Sequence, residues 1–164
     1  MTLRLPWHTL PAPPDPSTLR PSLVMLASEG RAFSDGAVRV AAEIARPARA
    51  SVKVLSIARI WGSAFGLPHP GLRPTKQEWQ SQRDVVEAAI NALKKRGLDA
   101  TGEVYGSRNA AKSILKLADA AGAGALVMPA DPEPHWAVRG ILWAHLPYVV
   151  ARASSIPVYL VTDH

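Results

Sequence analysis

From Pro21 onward, short apolar runs alternate with segments whose apolar residues recur at helical spacing, and this alternation is the strongest constraint on the fold. The runs Ser22–Ser28, Ala125–Met128 and Ile156–Val161 are mostly apolar, and Ser51–Ile57 (SVKVLSI) reads as a further strand. Strands of that kind are buried on both faces. Between them, Ala37, Ala41, Ile44, Ala45 and Ala48 mark a helix over about 35–48, with Ser34 as its N-cap. Thr75 followed by Glu78 forms a capping box, and Trp79, Val86, Ala89, Ile90 and Leu93 line the helix behind it up to Gly97. Residues 98–105 predict a weaker strand near a sheet edge. Asn109 caps a further helix carrying Ala111, Ile114, Leu115, Ala118 and Ala121, which Gly122 ends. Pro147 suits the start of a last short helix running to about Ala153. Strand and helix thus alternate four times before a final strand. That order predicts an α/β fold, a parallel sheet with helices on both faces and right-handed crossovers. Ligands of such sheets bind beyond the C-terminal strand ends, here the loops at 29–33, 58–61 and 129–143.

Six of the 15 prolines fall in residues 1–21, which read as an extended Pro-rich arm, poorly ordered on its own. Residues 22–164 then form one domain. Residues 58–74, rich in Gly and Pro with Trp61 and Phe65 as apolar anchors, form a long loop of the sort that often carries function. The arm lacks the apolar stretch of a signal peptide, and no run is long enough to span a membrane, so the expected setting is cytoplasmic. The chain has no cysteine, which excludes disulfides, thiolate metal sites and thiol chemistry. The net charge of +6 raises nucleic-acid binding, but the 13 Arg and six Lys are scattered, which argues against a binding groove. Lys94-Lys95-Arg96 sits at a helix C-terminus, where the helix dipole favours cations.

Several chemistries lack their parts. There is no phosphate-binding Gly-x4-Gly-Lys-Ser/Thr, no dinucleotide Gly-x-Gly-x-x-Gly and no Gly-x-Ser-x-Gly elbow. The five His show no metal-ligand spacing, so no metal is expected. No nucleophile–base or acid–base pair is evident, which argues against an enzyme.

From Pro21 to the end, the chain resembles the universal stress protein family. The resemblance rests on Glu29-Gly30-x3-Ser34-x2-Ala37 after the first strand, where the family typically has Asp in place of Glu29. It rests further on the long segment 58–74, on Asn109–Leu115, on Gly122–Met128 and on Ile156-Pro157-Val158-Tyr159-Leu160-Val161. It implies a three-layer α/β sandwich with a five-stranded parallel sheet of order 3-2-1-4-5, like that of adenine-nucleotide hydrolases. It also implies a role in stress response and a homodimer formed through the last strand, with Val158, Tyr159 and Leu160 as interface candidates.

Many members bind ATP through Gly-x2-Gly-x9-Gly-Ser/Thr after the fourth strand. Here those glycine positions fall on Pro129, Pro132 and Leu142. Proline has no N–H to give a phosphate. Asp131 and Glu133 would repel one. The expectation is therefore a degenerate nucleotide site with no dedicated cofactor. Glu29, Ile57 and Met128 remain as candidate ribose and adenine contacts, and Asp131 as a candidate at the same strand end. His135, Arg139 and His145 are candidate donors from the following loop. Three readings stand: a non-enzymatic binder of a small ligand or partner, an ATP binder with a non-standard loop, and an interaction module using the arm and the Trp-bearing loop.

Overall fold

A computed structural model describes residues 10–60, 73–131 and 146–163. Among these residues, five strands and four helices follow a 3-10 turn at Pro16–Thr18. The strands are β1 (Leu23–Ser28), β2 (Ser51–Arg59), β3 (Ala100–Ser107), β4 (Ala125–Pro129) and β5 (Val158–Val161). The helices are α1 (Asp35–Ala48), α2 (Lys76–Lys95), α3 (Ala110–Ala121) and α4 (Leu146–Ala153). All pairings are parallel, and the order is β3-β2-β1-β4-β5, as the family resemblance implies.

The strand alternation sorts side chains onto two faces. Val24, Leu26, Val52, Val54, Val127 and Tyr159 pack with α1 and α2. Met25, Leu55, Ile57, Leu126, Met128 and Val158 pack with α3 and α4. β1 lies centrally and buries both sets, which is why its sequence is an unbroken apolar run. Among the described residues no helix is long and apolar enough to cross a membrane.

Local signals placed most helix ends. Ser34, Thr75 and Asn109 each accept a backbone N–H at the start of a helix, and the Thr75–Glu78 box is reciprocal. The bounds of α1 match the sequence reading, and the end of β2 differs from it. α1 runs through Pro47 and closes at Arg49, whose φ of 54° is left-handed and whose N–H reaches the Ala45 and Arg46 carbonyls. No residue-type preference marks arginine for that role. β2 continues to Arg59, two residues beyond the apolar run, because β3 pairs with it up to Ser107.

Edge strand β3 approaches α2 closely at Gly102. A Cβ there would lie 2.6 Å from Val86 Cγ1 and 2.9 Å from the Val54 carbonyl oxygen. Gly102→Ala is expected to destabilise the fold by about 1–3 kcal/mol through overpacking. A thermal-unfolding midpoint at or above the parent's would show that α2 does not sit this close.

Candidate functional site

The sheet reverses its winding at β1: β2 and β3 lie to one side, β4 and β5 to the other. The crevice beyond the C-terminal ends of β1 and β4 is thus the switch point of the fold. The turn after β1 is closed from within. Buried Ser28 donates its hydroxyl to the Arg31 carbonyl at 2.9 Å and accepts the Gly30 N–H at 3.4 Å. Gly30 has φ +100°, a backbone that a side chain would strain.

This turn sets Glu29 against Arg31. Glu29 Oε1 accepts from Arg31 Nε at 2.8 Å and forms an ion pair with Nη2 at 2.7 Å. Arg31 Nη2 also reaches Asp131 Oδ2 at 3.3 Å, so one guanidinium ties the exit of β1 to that of β4. Burial by itself would lower the Arg31 pKa. The Glu29 charge and hydrogen bond, and then those of Asp131, outweigh it and push it up, so the cation is permanent. The Glu29 side chain is 5% exposed, whereas that of Asp131 is 60% exposed. The first pair therefore carries most of the tie.

Glu29 Oε2 is buried, and no hydrogen bond reaches it among the described residues. The residue lines a cavity of about 310 Å³ together with Ile57, Arg59, Arg73, Thr75 and Gln82. Gln82 shapes its floor. It accepts the hydroxyl of buried Ser56 and donates to the Gly30 carbonyl at 2.9 Å. Nothing in the sequence singled out Gln82, a polar residue within an amphipathic helix. The signal was the pair of buried serines, Ser28 and Ser56, which sit opposite each other in neighbouring strands and need partners.

The candidates named from sequence separate here. Glu29 and Ile57 line the cavity. Met128 is fully buried between the sheet and the α3/α4 layer and does not line it. Asp131 stands at the crevice, paired with Arg31, and its carbonyl accepts the Tyr148 hydroxyl at 2.7 Å. His135, Arg139 and His145 lie outside the described residues, as do all five histidines. Among the described residues no cluster of His, Asp and Glu is arranged to hold a metal. The sequence 106–109 serves as a cap: Ser107 Oγ accepts the Asn109 N–H at 3.0 Å, and Asn109 Oδ1 accepts that of Lys112 at 3.1 Å.

The exit of β4 gives little to a phosphate. Pro129 has no N–H, and the Ala130 N–H is spent on the Val161 carbonyl at 2.9 Å. The interface candidates are partly core residues. Val158 faces the α3/α4 layer, Leu160 packs against it, and Tyr159 faces the α1/α2 layer. What remains for pairing at β5 is its backbone edge.

A double-mutant cycle of Glu29→Gln and Arg31→Met, read by denaturant unfolding, is expected to show a coupling of about 0.5–3 kcal/mol. Additive losses would mean that the pair does not hold the turn.

No family model matches the chain, and no curated protein matches it. Solved structures do. A universal stress protein from Archaeoglobus fulgidus in complex with dAMP is 19% identical, with a TM-score of 0.62 over 87% of this chain and 98% of that one. A universal stress protein in complex with cAMP is 20% identical, with a TM-score of 0.64 over 89% and 100%. A member of the family from Burkholderia pseudomallei is 18% identical, with a TM-score of 0.61 over 85% and 95%. With its strand order, its all-parallel pairing and these likenesses, the chain has the fold of the universal stress proteins.

Proposed function

We propose that this chain is a universal-stress-type protein that binds a small ligand at the C-terminal end of its sheet and does not turn it over. The observation that carries the reading is the Glu29 carboxylate. One oxygen is committed to Arg31, and the other is buried beside the cavity with no hydrogen bond among the described residues. A buried, unsatisfied acceptor costs about 1–3 kcal/mol, which a ligand's N–H or O–H would recover. Two proteins of the same fold are complexes with dAMP and cAMP. A nucleoside monophosphate would offer such donors, and Arg59 and Arg73 in the cavity wall supply positive charge for its phosphate.

The same residues argue against a triphosphate. Neither Pro129 nor Ala130 offers a free amide, and Asp131 adds negative charge. They argue against turnover as well. Glu29 serves Arg31, while Thr75 and Glu78 cap α2 with each other, at 3.1 and 2.6 Å. A place in stress response and a cytoplasmic setting belong to this reading. So does a homodimer, whose seam would be the outer edge of β5, since β5 pairs with β4 alone among the described residues.

Calorimetric titration with AMP and with Mg²⁺-ATP tests the proposal. AMP should bind, and Mg²⁺-ATP should bind no more tightly. Glu29→Gln should weaken AMP by about 10- to 100-fold, the contribution of a hydrogen bond to a charged group. Much tighter binding of ATP would overturn the account of the β4 exit. No heat with either nucleotide would overturn the nucleotide reading and turn attention to partners.

A further inference from the structure

The arm offers a second feature, independent of the ligand site. Residues 10–16 read Leu-Pro-Ala-Pro-Pro-Asp-Pro. Four prolines remove four N–H groups and hold the backbone extended. Such a segment can lie along a strand but cannot join its ladder. Asp15 ends it by capping the 3-10 turn, accepting the Ser17 N–H at 2.8 Å and the Ser17 hydroxyl at 2.7 Å. Leu19 then packs against the α1 layer and anchors the far end.

Among the described residues, one side-chain hydrogen bond ties the arm to β5. The Tyr159 hydroxyl donates to the Pro14 carbonyl at 2.6 Å. Burial, and then the negative charge of Asp15, push the phenol above its ordinary pKa, so it remains a donor at neutral pH. Between arm and strand runs a cavity of about 650 Å³. Its walls are Leu10–Pro14 and Pro16 on one side and Val158–Thr162 on the other. Val40 from α1 and Ala151 from α4 also line it. Lining from both helical layers means that the cavity follows the outer edge of β5 rather than one face of the sheet.

We propose that the Pro-rich arm is an intramolecular strap that keeps the β5 edge from pairing with a second copy of the chain, so that self-association through β5 requires the arm to lift. An apolar strand edge left open pairs readily with another chain, and two β5 edges related by a two-fold axis would continue the sheet. Proline along the edge is a means of preventing this. The strap is displaceable because it spans a cavity instead of packing flat, and because one hydrogen bond holds its middle.

The chain has no cysteine, so a single introduced thiol reports on one place. Thr162→Cys, at the end of the cavity wall, carries a nitroxide label and serves as the parent. It is compared with the same protein carrying Tyr159→Phe, and with one in which residues 10–14 are replaced by a Gly-Ser segment of equal length. Sedimentation velocity gives the association constant, and pulsed EPR gives the fraction of closely spaced label pairs. The parent should be mainly monomer. Both released proteins should associate about tenfold more tightly or better, with a matching rise in label pairs. The Gly-Ser variant leaves the sandwich core untouched, so the test survives if Tyr159→Phe folds poorly. A parent as dimeric and as rich in label pairs as the released proteins overturns the strap while leaving the homodimer reading intact. Released proteins that stay folded and monomeric overturn it too.

Discussion

Burial of β1 on both faces and along both edges is the constraint on which the rest of the structure depends. Its six residues pair with β2, Val24, Met25 and Leu26 pair with β4 on the other side, and Val24, Met25, Leu26 and Ala27 are wholly inaccessible to solvent. A strand so enclosed can project chemistry only from its end. Functional groups are therefore displaced to the turn that follows, and that turn needs internal bonds to hold its shape. Ser28 supplies them, and Glu29 and Arg31 emerge from it in fixed positions.

Arg31 gives the crevice its character. The crevice of an open parallel sheet is where a ligand is expected, yet here a guanidinium spans it from β1 to β4. The tie leaves the second Glu29 oxygen buried without a hydrogen bond among the described residues, and the residue lines the neighbouring cavity between the ends of β1 and β2 and helix α2. The cavity thus lies one strand away from the β4 exit, where neither Pro129 nor Ala130 offers an amide donor.

The two edges of the sheet are managed by different means. At β3, exposed polar residues and the Lys53–Glu103 pair at 2.8 Å leave an edge tolerant of water. At β5, apolar residues continue to the rim, and the Pro-rich arm lies across it.

The alternation of apolar runs with capped, amphipathic segments determined by itself the order of elements, the parallel sheet and most helix ends. These depend on short-range physics: strand alternation, helical spacing, and a hydroxyl or amide within three residues of the N–H that it caps. Glu29 was legible for a similar reason, as an acidic residue where a buried strand must end. Tertiary structure alone decided which groups meet. Arg31 was one scattered arginine among 13, and Gln82 one polar residue on a helix. Tyr159 looked like a partner-facing residue until the Pro14 carbonyl, 145 positions away, claimed its hydroxyl. A long polar side chain reaches several ångströms in many directions, and its partner is whatever the folded sheet brings within that reach. Local pattern carries no information about that choice.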